Sequence, residues 1–255
     1  MIQSIQRAMA VLEAVSEDPE RPTSLSEVAG RLGLKLSTCA NILQTLLELG
    51  YLDQADYKGG YTLGPMAYHL TRKGPYRRGL VEAAMRPMAE LAGRVRESVL
   101  LAAMGGGRRT TLCQVDGNES FRIREGFLAQ QDVYRTATGR LLLAHLPEAE
   151  LRAFLAVNGL PGARHWPEAG TEAHLLSRLA ALRRAGRAIT EGDPAGIACP
   201  VRDGREVVAA LGLFLPRARF QGEHRTRVLA GVAEAAAAIS RQLEEQRRDA
   251  DRTHR

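Results

Sequence analysis

Two short amphipathic helices, joined through a glycine and a three-residue connector, constrain the fold of this chain most strongly. Ser24 and Glu27 have the spacing of a capping box, in which each side chain accepts a hydrogen bond from the other residue's backbone N–H, and they predict a helix start. Gly33 predicts the end of that helix, because glycine adopts the left-handed conformation at low cost. Only residues 34–36 separate it from a second helix predicted over 36–49, which is typical of a helix-turn-helix.

The second helix has an apolar face and a polar face. Its apolar positions at helical spacing are Cys39, Ile42, Leu43 and Leu46. Hydroxyl and amide side chains occupy the other face, and amides can pair bidentately with adenine in the DNA major groove. We therefore expect the following side chains to contact bases: Ser37, Thr38, Asn41, Gln44 and Thr45. The helix contains neither arginine nor lysine, so bidentate recognition of guanine is not expected.

A β-hairpin is predicted after the second helix. Strands over 51–53 and 61–63 flank turn-forming residues at 56–60. Helix, turn, helix and hairpin together predict a winged helix-turn-helix, which binds in the DNA major groove. An earlier helix over 5–15 is expected to pack behind it through Ile5, Met9, Leu12 and Val15. We expect three basic side chains to contact DNA phosphates: Arg7, Lys35 and Lys58.

The positive charge of the chain lies beside this segment rather than within it. The whole chain has a net charge of +6 and a pI near 9.6, which suits a polyanionic partner. Residues 1–70 contain five Lys and Arg against eight Asp and Glu, a net charge of −3, whereas residues 71–98 contain seven against three, a net charge of +4. Four basic residues either contact phosphate or form a solvated helix start: Arg72, Lys73, Arg77 and Arg78.

The rest of the chain predicts an α+β domain around an antiparallel sheet. Strands are predicted over 98–106, 110–117, 120–127, 132–137, 187–190, 196–201 and 206–216. Helices are predicted over 80–94, 139–145, 148–157, 171–185 and 223–246. We therefore divide the chain into a winged helix-turn-helix domain (1–70), a linker helix (71–95), an effector-binding and oligomerisation domain (96–246) and a charged tail (247–255).

The motifs of common enzyme and metal sites are absent from the sequence. There is no HExxH, no nucleophile elbow and no Walker A loop, and the glycines at 105–107 are better explained by a hairpin turn. Cys39, Cys113 and Cys199 lie in apolar segments and predict small buried side chains rather than metal ligands or a redox switch. We expect no catalytic residue, no metal and no cofactor. The sequence shows neither a signal peptide nor a membrane-spanning run, which predicts a cytoplasmic protein with no membrane partner.

The chain resembles the IclR-type bacterial transcriptional regulators along nearly its whole length. The N-terminal similarity lies in SIQRAMAVLEAV (4–15), SLSEVAGRLGL (24–34), Ser37-Thr38, LQTLLELGYL (43–52) and GYTLGP (60–65). The C-terminal similarity lies in TATGRLLLAHLP (136–147), IACPVRD (197–203), VVAALGLFLP (207–216) and the Ala-Ala-Ile-Ser run ending at Ser240. The resemblance implies a GAF-like effector domain that binds a small molecule, often an organic or aromatic acid. It also implies homodimers or tetramers on double-stranded operator DNA, and more often repression than activation.

The resemblance also implies the effector site. Ala137, Thr138 and Gly139 match the ligand-contacting turn of the family, and backbone N–H groups at a helix start suit a carboxylate. The other positions implied to bind the effector are Gly196, Ile197, Cys199, Gly212 and Phe214. Gly196 stands where many members have cysteine, and Gly212 and Phe214 stand where small hydroxyl residues are common. Because hydroxyls are lost and a phenyl ring is gained, a more apolar ligand, or none, is an alternative.

The N-terminal domain departs from the family as well. Ala40 and Asn41 replace a basic or aromatic pair, and Lys35-Leu36 replaces Pro-Lys, so the operator is expected to be atypical. The net charge of −3 keeps open an alternative function, a small-molecule sensor that regulates a protein partner without specific DNA binding. A third alternative is an enzyme whose site is assembled from distant residues.

Overall fold

The computed structural model describes residues 2–18, 21–54, 59–71, 76–117 and 133–253. The chain divides into two compact units, Met1–Pro75 and Tyr76–Arg255. The described residues include no helix that is both long enough and apolar enough to cross a membrane.

The N-terminal unit is a winged helix-turn-helix, as predicted. Its elements are α1 (Gln3–Ser16), α2 (Leu25–Leu32), α3 (Leu36–Glu48), β1 (Leu52–Gln54), β2 (Tyr61–Leu63) and α4 (Pro65–Thr71). The Ser24 capping box is confirmed, and Gly33 ends α2 with a φ of 62°. The two strands pair antiparallel, with Leu52 opposite Leu63. The predicted turn at 56–58, including Lys58, lies outside the described residues.

The core of the N-terminal unit joins α1, α2, α3 and β1. Cys39, Leu43 and Leu46 are buried as predicted. The predicted packing face of α1 is confirmed for Val15, which is buried, and for Leu12, which packs against the core. It was wrong for Ile5 and Met9, which are 58% and 52% exposed. The fully buried face of this helix consists of Val11, Ala14 and Val15. These smaller side chains let α1 approach α2 and α3 closely, which leaves the bulkier Ile5 and Met9 outside the core.

The C-terminal unit is built around a five-stranded antiparallel sheet of order β4-β3-β7-β6-β5. Its strands are β3 (Val99–Gly105), β4 (Arg108–Val115), β5 (Ala188–Thr190), β6 (Ala195–Asp203) and β7 (Glu206–Leu215). Its helices are α5 (Arg78–Val95), α6 (Ala137–Ala144), α7 (Glu148–Asn158), α8 (Glu172–Ala185) and α9 (Gly222–Thr253). Gly106 and Gly107, both with positive φ, form the predicted hairpin turn between β3 and β4. The α+β class and the antiparallel sheet are confirmed.

The two faces of this sheet carry different elements. Because successive strand residues point to opposite faces, Leu101 and Leu211 pack with α5 and α9, whereas Leu100 and Ala210 pack with α6. A separate cluster of Leu, Phe and Trp side chains joins α7 and α8 to the 3₁₀ turn Pro167–Ala169. The sheet therefore has one face that forms the main core and one face on which the start of α6 lies.

Two predicted features of the C-terminal unit differ in the structure, and a third lies outside the described residues. Residues 133–136 form a turn rather than a strand, because the Thr136 side chain caps α6 at Ala137. The last helix continues to Thr253 instead of ending at residue 246, and Arg247 on it pairs with Asp203 at 3.5 Å. The predicted strand at 120–127 lies outside the described residues.

The helix predicted as a linker packs into the C-terminal unit. Met88 and Leu91 of α5 are buried in the main core with α9, and the boundary between the two units falls between residues 75 and 76. The assignment of residues 71–95 as a separate linker stays a prediction about how the two units are joined.

A fully buried carboxylate connects the start of β3 to the start of α9. Glu97 Oε1 accepts hydrogen bonds from Arg219 Nη2 at 2.7 Å and from His224 Nε2 at 3.0 Å. Burial raises the pKa of the Glu97 carboxyl, while both partners oppose that shift. These two hydrogen bonds of Glu97 hold the first turn of α9 against the sheet.

Two glycine-to-alanine substitutions in the N-terminal unit should change stability in opposite directions. A Cβ at Gly64 would lie 2.4 Å from the Gly50 oxygen and 2.6 Å from the Leu52 oxygen, so Gly64→Ala should lower the free energy of unfolding by about 1–3 kcal/mol. Gly30 lies inside α2 with no atom near a new Cβ, so Gly30→Ala should raise it by up to about 1 kcal/mol. Urea denaturation followed by far-UV circular dichroism measures both, and equal changes would contradict the packing described.

Candidate functional site

The exposed face of α3 is a candidate DNA-reading surface. Ser37, Asn41, Gln44 and Thr45 are exposed, while Thr38 is half-buried. The opposite face of the helix is fixed in the N-terminal core. The fold therefore holds a rigid helix with short polar side chains directed away from the protein, as a base-contacting helix requires.

Internal hydrogen bonds distinguish these polar side chains. Gln44 Nε2 donates to Glu48 Oε1 at 3.1 Å, and Thr45 Oγ1 donates to the Asn41 carbonyl oxygen at 2.9 Å. Base contacts by Gln44 or Thr45 must compete with these bonds. Ser37 and Asn41 are therefore the stronger candidates, and the Glu48 carboxylate beside Gln44 repels phosphate.

The predicted phosphate contacts are only partly described by the structure. Lys35 is exposed at the N-cap position of α3, and Arg7 is half-buried on α1. Two basic residues near the start of α5 have partners inside the C-terminal unit. Arg77 Nη1 donates to the Val208 carbonyl oxygen at 2.8 Å, and Arg78 pairs with Glu82 at 2.7 Å. Both contacts favour a structural role for these two arginines.

A small cavity lies between the start of α6 and the sheet. Its volume is about 40 Å³. The residues lining it are Arg109, Arg135, Thr136, Ala137, Thr138, Thr190, Pro194, Gly196, Ile197, Leu213 and Phe214. We call it the Arg109 cavity. It contains five of the eight residues predicted to bind the effector: Ala137, Thr138, Gly196, Ile197 and Phe214.

The sequence analysis missed six lining residues of this cavity, and Arg109 is the buried charged side chain among them. Its side chain is only 6% exposed, and Nε donates to Thr138 Oγ1 at 2.8 Å. Burial lowers the pKa of the guanidinium to about 10, so it remains cationic at neutral pH. Side chains along β4 alternate between exposed and buried positions, and Arg108 and Thr110 on either side of Arg109 are exposed. This alternation is the one signal that could have indicated that Arg109 is buried.

The first turn of α6 adds hydrogen-bond donors to the same cavity. Thr136 Oγ1 accepts from the Gly139 backbone N–H at 3.0 Å. The backbone N–H groups of Ala137 and Thr138 lie in the first turn of α6, where the helix has no carbonyl oxygen four residues earlier to accept from them. The helix dipole also makes this end of the helix positive. A buried guanidinium beside a helix N-terminus favours an anionic group in the cavity.

Three glycines allow the helix and the strands to approach each other. A Cβ at Gly212 would lie 2.5 Å from Thr138 Cγ2, and one at Gly196 would lie 2.7 Å from Thr190 Oγ1. A Cβ at Gly139 would lie 2.2 Å from the Val133 oxygen. Gly139 and Gly212 are not among the lining residues of the cavity, and the close approach that Gly212 allows places Thr138 beside the strands.

Cys199 does not lie at the cavity. Two residues further along β6 than Ile197, it points to the same face of the sheet and packs in the core with α5 and α9. Burial raises the pKa of the Cys199 thiol to about 11, as expected for an inert side chain. Ile197 lies along the cavity wall, but its side chain belongs to that same core. Phe214 packs against the apolar residues below α6.

A second space, which we call the outer cleft, adjoins the Arg109 cavity. Its volume is about 350 Å³. The two spaces share four lining residues: Arg135, Thr136, Thr190 and Pro194. Of the eight other lining residues, four are exposed and charged: Arg164, Glu168, Glu191 and Asp193. Arg140 on its wall is fixed by bonds of 2.7 Å from Nε to the Tyr134 oxygen and from Nη2 to the His165 oxygen.

No group of three or more metal-ligating side chains occurs in the part of the chain that the structure describes. Cys113 lies near Met88, at 3.7 Å between the sulfur atoms, and burial raises its pKa to about 11. Its surroundings are those of a packed core side chain.

Comparison with known proteins finds relatives along nearly the whole chain. A family model described as "IclR helix-turn-helix domain" matches residues 4–56, and one described as "Bacterial transcriptional regulator IclR C-terminal" matches residues 76–241. The glycerol operon regulatory protein of Streptomyces coelicolor is 32% identical, over 95% of this chain and 96% of its own length. The HTH-type transcriptional regulator XynR of Escherichia coli is 28% identical, over 95% of this chain and 98% of its own.

A solved structure shares the fold of the chain as well. The IclR homolog from Microbacterium hydrocarbonoxydans, complexed with 4-hydroxybenzoate, is 26% identical and has a TM-score of 0.72. The match covers 95% of this chain and 100% of that one.

Removing the Thr138 hydroxyl should weaken the C-terminal unit. Thr138→Val leaves a donor of the buried Arg109 guanidinium without its acceptor, so the free energy of unfolding should fall by about 1–3 kcal/mol. Thr110→Val, at an exposed position of β4, is the control and should change it by less than about 0.5 kcal/mol. Urea denaturation followed by the fluorescence of Trp166, the single tryptophan, reports on this unit. A Thr138→Val variant as stable as the control would contradict the role of this bond.

Proposed function

The chain belongs to the IclR family of bacterial transcriptional regulators, and we propose that it is a repressor that binds operator DNA through α3 and responds to a small molecule bound in the Arg109 cavity. The observation that carries the proposal is the exposed polar face of α3 on a winged helix-turn-helix. The relatives with matching domains are transcriptional regulators rather than enzymes. A regulator of bacterial transcription acts in the cytoplasm, where the operator lies.

We propose that residues on the exposed face of α3 contact the bases of the operator. Asn41 combines exposure with an amide that can pair with adenine N6 and N7. Ser37 and Thr38 lie one turn earlier, at the N-terminal end of the helix, which contacts base edges in helix-turn-helix proteins. Gln44 and Thr45 are proposed as secondary contacts, since each must give up a bond within α3.

The phosphate contacts are proposed for Lys35, Arg7 and Lys58. Few basic residues lie in the N-terminal unit, so few phosphates can be neutralised. The affinity for DNA should therefore fall less steeply with salt than for a strongly basic domain, because the slope follows the number of phosphates contacted. The net charge of −3 over residues 1–70 also supports the alternative that this unit binds a protein partner. A complex with DNA that shows no sequence preference would favour that alternative.

The effector proposed for the C-terminal unit is an organic acid. A buried guanidinium and the N-terminus of α6 both favour a carboxylate in the Arg109 cavity. The relative from Microbacterium hydrocarbonoxydans was crystallised with 4-hydroxybenzoate, an aromatic acid, which supports this class of ligand. Binding of the acid would shift the equilibrium between DNA-binding states by as much as its affinity differs between them.

We also propose that the protein acts as a homodimer, or as a tetramer formed from two dimers. Ile2, at the N-cap of α1, is followed at helical spacing by Ile5 and Met9 on that helix, and each of the three is more than half exposed. Burying such a face against a second copy stabilises a dimer through the hydrophobic effect. A dimer would place two α3 helices on two operator half-sites.

Replacing Asn41 should weaken specific DNA binding. Asn41→Ala removes one bidentate base contact, so the Kd for the operator should rise about 5- to 150-fold, equivalent to about 1–3 kcal/mol, while the Kd for random DNA stays the same. Mobility-shift titrations on the DNA upstream of the protein's own gene measure both. Asn158→Ala, the same substitution on α7 of the other unit, is the control. If the two variants bind the operator equally well, α3 does not read bases through Asn41.

Placing a charge on the apolar face of α1 should weaken self-association. Ile5→Asp should raise the dimer dissociation constant by about tenfold or more, since an isoleucine side chain contributes about 1.5–3 kcal/mol when buried. Gln3→Asp introduces the same charge at an exposed polar position of the same helix. Sedimentation equilibrium at several protein concentrations compares the two variants. Dimers of equal stability would exclude this face of α1 as the interface.

A further inference from the structure

We propose that α3 selects A·T base pairs, with Leu36 packed against the C5 methyl group of a thymine beside an adenine that pairs with Asn41. The inference rests on the proposed function, in which α3 contacts operator DNA. It goes further by naming the base pairs that the helix selects. It also gives an apolar side chain, Leu36, a part in that selection.

Leu36 is a large apolar side chain that the N-terminal core leaves outside. It is the first residue of α3 and is 57% exposed, whereas Cys39 on the same helix is fully buried. A single exposed leucine is common on a protein surface, so the neighbours of Leu36 decide its meaning. Side chains four residues apart follow one another along a helix, so Leu36 and the half-buried Ala40 form an apolar row. The exposed side chains of Ser37 and Asn41 form the adjoining polar row.

The N-terminal half of α3 is the part of the helix suited to approach DNA. Its first turn contains no acidic residue, and the N-cap residue Lys35 makes no side-chain hydrogen bond to it. The backbone N–H groups of this turn and the positive end of the helix dipole therefore suit a DNA phosphate. At the other end, the Glu48 carboxylate repels phosphate and holds Gln44 through a bond of 3.1 Å. The first two turns of α3 are then the ones nearest the bases.

An A·T base pair matches both rows of α3. In the major groove it presents the N7 acceptor and the N6 donor of adenine, and beside them the O4 acceptor and the C5 methyl group of thymine. The exposed Asn41 amide can donate to N7 and accept from N6. Leu36 and a thymine methyl group that touch each other remove apolar surface from water, which stabilises the complex. One base pair, or two neighbouring ones, can therefore satisfy the polar row and the apolar row together.

A G·C base pair fits this face of α3 poorly. Guanine presents two acceptors, N7 and O6, which arginine or lysine side chains bind best, and α3 contains neither residue. Cytosine presents its N4 amino group and no methyl group, so Leu36 would cover a polar group without offering it a partner. Lys35 precedes the helix, where we propose that it contacts phosphate. Both the pairing groups and the methyl group therefore favour A·T over G·C.

Base analogues that differ by one group test the two contacts separately. Binding sites are selected from random double-stranded DNA with the full-length protein, and we expect A·T pairs at the contacted positions. Replacing a contacted thymine by uracil removes only the C5 methyl group. The Kd should rise about fourfold, equivalent to about 0.8 kcal/mol for one buried carbon group. Replacing the contacted adenine by 7-deazaadenine removes the N7 acceptor and should raise the Kd about two- to tenfold, as expected for one hydrogen bond.

Matched variants assign each effect to a residue. In Leu36→Ala, the effect of uracil at the contacted thymine should disappear, while the effect of 7-deazaadenine remains. In Asn41→Ala, the effect of 7-deazaadenine should disappear, while the effect of uracil remains. Leu49→Ala is the control, because Leu49 is also 57% exposed but lies beyond the last residue of α3, and both effects should persist. Neither leucine is part of the core, so neither substitution opens a cavity there.

The outcomes separate this inference from the proposed function. A Kd that uracil leaves unchanged at every thymine, or equal effects of uracil in Leu36→Ala and Leu49→Ala, would overturn the part assigned to Leu36. A selected site that depends on guanines, and that 7-deazaguanine weakens, would overturn the choice of base pair while leaving DNA binding intact. A selection that enriches no sequence would show that the proposed function had failed, and this inference with it.

Discussion

The alternation of side chains across the five-stranded sheet is the constraint on which the rest of the C-terminal unit depends. Odd-numbered residues of β3 and β6 pack with α5 and α9 and form the main core. Even-numbered residues of these strands face α6, and several of them are small, as at Ala102, Gly196 and Ala198. Small residues bring the start of α6 close to the strands, and this approach creates the Arg109 cavity. The main core therefore lies on one face of the sheet and the start of α6 on the other, and Ile197 and Leu213 contribute both to the core and to the wall of the cavity.

Burying Arg109 is costly, and the structure compensates for it locally. The Thr138 hydroxyl accepts one of its hydrogen bonds, and the adjoining outer cleft brings polar groups to the cavity boundary. Burial lowers the pKa of the Arg109 guanidinium to about 10, so the side chain stays cationic at neutral pH. The N-terminal unit differs, because the exposed face of α3 carries amides and hydroxyls rather than arginines. If α3 contacts bases as we propose, its specificity depends on hydrogen-bond geometry at bases more than on attraction to phosphate.

Local rules predicted the winged helix well and the effector site only in part. The capping box at Ser24 and the turn at Gly33 depend on neighbouring residues, so their spacing was sufficient. The buried face of α1 depends on how closely other helices approach, and hydrophobicity alone selected Ile5 instead of Val11. Cys199 was misplaced because the face of a strand residue depends on register, and Arg109 was missed because its partner Thr138 is 29 residues away. The base-contacting residues and the identity of the effector stay predictions.

The central claim is that the Arg109 cavity and α3 are coupled within one regulator. The most direct test measures both affinities in one thermodynamic cycle: the Kd for upstream DNA with and without a bound organic acid, and the Kd for the acid with and without DNA. Linkage requires the two ratios to be equal, and allosteric coupling of typical strength gives a factor of about 5 to 150. We predict equal ratios in this range. An acid that binds in the cavity while the Kd for DNA stays unchanged would contradict the account.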